Sequence, residues 1–108
     1  GVVELEARHQ TLEGEVLRLF DRQAGMLLAR LQAASPEAVT SFAHTLKGSA
    51  RGIGAWQVAK AAEAVELAAG VGDAAALRGA LKTLAAAVAT ARAAISELLR
   101  TPVTQRRS

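Results

Sequence analysis

The apolar positions of this chain recur at steps of three and four, the spacing that lines one face of an α-helix. The clearest set is Val39, Phe42, Ala43, Leu46, Ala50 and Ile53. With Leu46 at zero and a turn of about 100° per residue, the whole set stays within roughly 60° of zero. On that scale His44 lies near about 160°, Gly48 near about −160°, Arg51 near about 140° and Lys47 near about 100°. The pattern therefore predicts an imidazole on the solvent side of a helix. A residue without a side chain follows one turn on, and two cations flank the pair. Ser35-Pro36-Glu37 reads as the helix start, with a capping hydroxyl, proline in the first turn and an acid behind it. Gly52-Ile53-Gly54 ends the helix.

The same reading extends in both directions. Over 13–33, Val16, Phe20, Leu27 and Leu31 form one stripe, widened by Leu12, Leu19 and Met26. Residues 1–12 read as a short helix, and Gly14 either bends the chain there or merely weakens a continuous helix. Over 55–69 the predicted inner face is Trp56, Val58, Ala62, Val65 and Ala69. Gly70-Val71-Gly72 breaks that helix, and Asp73 is placed to cap the next. Leu77, Leu81, Leu84, Val88, Ala91, Ile95 and Leu98 then make a heptad-like seam, ended by Thr101-Pro102. Four helices with short joints predict an all-α fold, an antiparallel up-down four-helix bundle, with or without a short additional N-terminal helix. The bundle domain is placed over 1–100 and a disordered tail over 101–108.

Composition narrows the alternatives. At 108 residues the chain has room for one core. Apolar residues make up 51% and aromatics only 3%, so the core must be built from Ala, Leu and Val. Thin faces of that kind suit close-packed helices, and the absence of Tyr and of long β-branched runs argues against a sheet. With no cysteine, a disulfide framework and a thiolate metal site are excluded. No signal-peptide pattern is evident and no apolar run is read as reaching transmembrane length, so a soluble cytoplasmic domain is expected. The net charge of +3 owes much to Arg100, Arg106 and Arg107. Those arginines read as a solvated terminus rather than a nucleic-acid site, and no membrane insertion is expected.

The chemistry concentrates around His44. Neutral imidazole is a nucleophile near physiological pH. An exposed His44 is open to an electrophile carried by another protein. Lys47, one turn away at i+3, sets a point charge near it. Gly48 at i+4 leaves open space, although a mid-helix glycine costs about 1 kcal/mol against alanine. Ser49 flanks the stripe and either bonds a carbonyl one turn back or packs between helices. His9 has no partner motif. With two His, no Cys and no H-E-x-x-H, a zinc site is not expected. Trp56 reads as a core or boundary anchor in preference to a docking residue. Glu66 reads as solvated or paired with a neighbouring helix. The run Gly48-Ser49-Ala50-Arg51-Gly52-Ile53-Gly54 imitates the glycine loop of short-chain dehydrogenases. That loop needs a preceding strand, and here the preceding residues are helix-periodic.

The stretch His44-x-Leu46-Lys47-Gly48-Ser49-Ala50, followed by Ile53-Gly54-Ala55 and then Val58, Ala62, Val65 and Glu66, resembles the histidine-phosphotransfer (HPt) family. Val16-Leu17-Arg18-Leu19-Phe20 and Leu27-Leu28-Ala29-Arg30-Leu31 resemble the helix that precedes the motif in that family. The resemblance covers about 15–69. Trp56 and Val58 replace commoner residues, and the joint over 33–36 is short; these departures bear on partner choice more than on chemistry. The resemblance implies a phosphocarrier of a two-component relay. His44 takes a phosphoryl group from a receiver-domain aspartate and passes it to another receiver, and Lys47 stabilises its charge. Thr40, Ser41, Gly48 and Arg51 are the expected docking positions. Response-regulator receivers and a hybrid sensor kinase are the implied partners. No cofactor of its own is expected, the receiver bringing the aspartate and Mg²⁺. The chain shows no nucleotide-binding signature of a kinase, and a monomer is expected. The alternative is a helical docking or inhibitor module that uses the same bundle face without taking phosphate.

Overall fold

The computed structural model describes residues 2–100, with side chains from residue 13 onward. Four helices follow one another: α1 (Val2–Ala33), α2 (Pro36–Gly52), α3 (Trp56–Val71) and α4 (Ala74–Arg100). Each packs on its neighbours in sequence, and α1 closes the ring against α4. This is the antiparallel four-helix bundle that the spacing of apolar residues predicts. The N-terminal residues do not form a helix of their own. They run straight through Gly14 as the first turns of a 32-residue α1. The tail over 101–108 lies outside the described residues, as do Arg106 and Arg107, and the side chain of His9.

The core is aliphatic. Phe20, Ala24 and Leu31 come from α1, and Val39, Ala43, Leu46 and Ala50 from α2. Val58, Ala59, Ala61, Ala62 and Val65 come from α3, and Leu84, Val88 and Ile95 from α4. Leu77, Leu81 and Ala91 pack against this cluster from its edge. On α1, however, Val16, Leu19 and Met26 are about half exposed. Leu19 and Met26 lie about 100° or more round the helix from Phe20. Val16 is on the stripe, but α2 folds back from the Ala34-Ser35 joint and runs out by about that level. At some 1.5 Å per residue, α1 and α4 outrun the shorter α2 and α3. The fold is therefore elongated, 55 × 19 × 19 Å.

The joints follow from local chemistry. Proline opens α2, but the Ser35 hydroxyl makes no capping bond; its carbonyl accepts from the amides of Ala38 and Val39 instead. At the other end the amide of Gly54 donates to the Arg51 carbonyl and that of Ala55 to the Ala50 carbonyl. These paired bonds satisfy two orphan carbonyls, and they require a left-handed residue at position 54. Gly54 supplies it, at φ 77°. Asp73 caps α4 as predicted, its Oδ1 accepting from the Ala76 amide at 3.0 Å.

A side-chain ion pair helps tie the two long helices. Arg92 of α4 donates from Nε to Asp21 Oδ1 of α1 at 2.8 Å. Its guanidinium lies over Gly25, where a Cβ would come within 2.6 Å of Nη1.

Among the described residues α4 is long and apolar enough to cross a membrane by length and composition, which the sequence reading did not expect. That apolarity is largely alanine, and Leu84, Val88 and Ile95 are committed to the bundle core.

Candidate functional site

The buried stripe of α2 fixes where its other face points. Val39, Ala43, Leu46 and Ala50 are at most 2% exposed, so His44 must project outward, and its side chain is 69% exposed. Gly48 and Arg51 share that outer face and are exposed, as is Ser41; Thr40 is half-buried. A Cβ built on Gly48 meets nothing within 4 Å. No packing constraint inside the chain therefore accounts for glycine there.

The structure brings a further residue to the site. Glu66 of α3 reaches across to α2, placing Oε2 3.1 Å from His44 Nδ1 and Oε1 2.8 Å from Lys47 Nζ. Oε1 is shut off from solvent and lacks a hydrogen-bond partner of good angle. The Lys47 ammonium beside it supplies the compensating charge. Lys47 is itself largely covered, its side chain 13% exposed. Its ammonium therefore faces Glu66 and not open solvent. Lys47, and after it His44, hold the Glu66 carboxyl below its ordinary range, although desolvation pushes the other way.

The protonation pattern of the ring follows. An ionised carboxylate can only accept, so Nδ1 carries the proton of the neutral imidazole and donates it to Glu66. The lone pair is then on Nε2, on the far side of the ring from Glu66 and toward solvent. The site offers an oriented, accessible nitrogen nucleophile with a fixed negative charge behind it.

Spacing alone allowed Glu66 to pair with a neighbouring helix, and it does, but it gave no hint that His44 is the partner. The two are 22 positions apart, and only the packing of α2 on α3 joins them. The one available signal was the acid that the family pattern places there. On the other flank, Thr45 and not Ser49 bonds back one turn, its hydroxyl donating to the Ser41 carbonyl at 3.1 Å. Ser49 is half-buried in a shallow hollow beside Met26 and Arg30 of α1. Trp56, expected on the inner face of α3, is 62% exposed. At about 100° per residue it lies some 180° round from Val65, which is fully buried, so the two cannot share a face. The dehydrogenase-like glycines fall within α2 and its terminal turn, not after a strand.

A bundle presenting a solvent-facing histidine from its second helix is the class that fold and site define. The Hpt domain family matches residues 3–99, beyond the motif region in both directions. The chain belongs to that family, whose members are histidine phosphotransfer modules of two-component signalling. No curated protein and no solved structure matches the chain significantly.

Proposed function

We propose that this domain carries a phosphoryl group between receiver domains on His44. The observation that supports it most directly is the exposed ring whose Nδ1 lies 3.1 Å from the Glu66 carboxylate, which leaves Nε2 as the nitrogen free to react. The Nε2 lone pair attacks phosphorus of an aspartyl phosphate, a new N–P bond forms, and the P–O bond to the aspartate breaks. The carboxylate leaves with that bonding pair. Positive charge develops on the ring as the nitrogen gives up its lone pair, and the Glu66 carboxylate at Nδ1 stabilises it. The Nδ1 proton is shared with Glu66 or lost to water. In the reverse step the carboxylate of a second receiver takes the phosphorus from Nε2.

Lys47 has two tasks in this reading. At rest it keeps Glu66 ionised from 2.8 Å. Once Nε2 carries phosphate, the ammonium swings on its flexible stem toward the phosphoryl oxygens. Gly48 and Arg51 lie along the face a receiver must cover, with Thr40 and Ser41 at its near end. The receiver brings the aspartate and Mg²⁺; the carboxylate of Glu66 is already engaged by two side chains. A cytoplasmic setting, where receivers reside, goes with this role.

Incubation with a phosphorylated receiver is the test. The expected product is an acid-labile, base-stable label on the wild-type domain and none on His44→Gln. A label retained by that variant would sink the assignment of the site.

A further inference from the structure

The face of α3 that points away from the core is not a charged surface from end to end. Trp56, Leu67 and Val71 are 62%, 67% and 78% exposed on it. With Trp56 at zero, Lys60, Glu63, Leu67 and Val71 all fall within about 60°, opposite the buried Val58, Ala62 and Val65. The steps from Trp56 to Lys60, Glu63 and Leu67 are four, three and four, the spacing of a helix-pairing seam. Glu66 lies about 100° round the helix from Leu67, so this stripe runs beside the phosphotransfer site and not across it.

The stripe is palindromic in its chemistry. An aromatic residue at one end mirrors an aliphatic one at the other, and a cation in between mirrors an anion. If a second α3 is laid antiparallel with its twofold axis between Lys60 and Glu63, Trp56 falls opposite Leu67 of the other copy. Lys60 then falls opposite Glu63, and both matches repeat across the axis. One register satisfies all four positions. Among the described residues neither Lys60 nor Glu63 has an ion-pair partner, so both charges can pair across such an axis.

We propose that the outer face of α3 is the contact of a twofold dimer, formed by Trp56, Lys60, Glu63 and Leu67 of two copies packed antiparallel. The same patch serves both subunits, as a closed twofold requires. A single 16-residue helix per copy places the contact at the small end of stable interfaces, so the dimer is weak and concentration-dependent. It departs from the monomer expected from sequence. It does not depend on the phosphocarrier reading, because no residue of the stripe belongs to the His44 site.

Sedimentation equilibrium of the full chain over a wide concentration series tests it. The average mass should rise from that of one chain toward twice that value. Lys60→Glu alone and Glu63→Lys alone set like charges opposite each other at both symmetric positions, and each should weaken association by about tenfold or more. The double variant K60E/E63K restores both pairs and should recover to within about threefold of the wild type. Leu67→Glu should abolish association and also the concentration-dependent shift in the emission of the single tryptophan, Trp56. All of these positions are exposed, so the variants should fold. A single-chain mass at every concentration overturns the proposal, as happens if another protein covers this face. So does association that Leu67→Glu leaves untouched, or a double variant no better than the single ones.

Discussion

His44 Nδ1 lies 3.1 Å from Glu66 Oε2 across the α2–α3 interface, and the carboxylate, being acceptor-only, settles which ring nitrogen keeps its proton. The same carboxylate rests on Lys47 through its other oxygen. The motif histidine and motif lysine thus meet through a third residue, and each depends on it.

Removing that residue should show in rate before it shows in fold. Glu66→Ala is expected to slow phosphotransfer to His44 by roughly 10- to 100-fold, by analogy with the loss of a partner that orients a metal-ligating histidine. Glu66→Gln should be milder, because its amide oxygen can still accept from Nδ1. Nitrogen NMR of the His44 ring should show mixed tautomers in the alanine variant. Unchanged tautomer and rate would refute the role given to Glu66.

The depressed carboxyl of Glu66 links stability to pH with a definite sign. In the folded state it holds its charge to lower pH than it does unfolded. Its contribution is therefore complete above the ordinary carboxylate pKa and is lost as pH falls through the lower folded value. Lys47→Gln removes the largest cause of that depression. Its urea midpoint should fall less steeply than the wild type's as pH is lowered through the carboxylate range. Parallel acid limbs would contradict the linkage.

At Gly48 fold and function should part company. A methyl group there meets nothing within 4 Å, so Gly48→Ala should stabilise α2 by about 1 kcal/mol through helix propensity. Gly48→Gln should also fold, yet slow transfer by obstructing the receiver. Denaturation and transfer kinetics on the same samples would reveal the opposite signs. A larger side chain that leaves transfer untouched would remove the reason for a glycine there.

Beneath the site, Leu46 is fully buried and faces the three other helices' core. Leu46→Ala should cost about 2–5 kcal/mol, the usual range for a large-to-small change in a packed interior. Thermal or urea unfolding would measure it, and a loss under about 1 kcal/mol would mean that α2 is not anchored as described.

Much of this was legible in the residues themselves. Val39, Ala43, Leu46 and Ala50 are the buried face that their spacing predicts, and the outward His44 follows from them. Asp73 caps α4, and Gly54 ends α2 through its left-handed backbone. Most of what escaped reading depends on neighbours distant in sequence. A glycine at position 14 leaves both a bend and a continuous helix open, and tertiary packing carries α1 through it; a side chain there would touch Leu99 of α4. Trp56 looks like an anchor by residue type, yet its angle on α3 turns it outward. Glu66 joins His44 only because two helices pack together.

The Arg92 guanidinium, seated over Gly25 and gripped by Asp21, works as a dowel between the longest helices. If α4 slid by one turn along α1, the peg would leave its socket and meet a side chain where a bare backbone had been. The two rods therefore keep a single alignment, and the short helices strung between them inherit it. A push on the outer face of α2 meets a braced frame, not a loose sheaf.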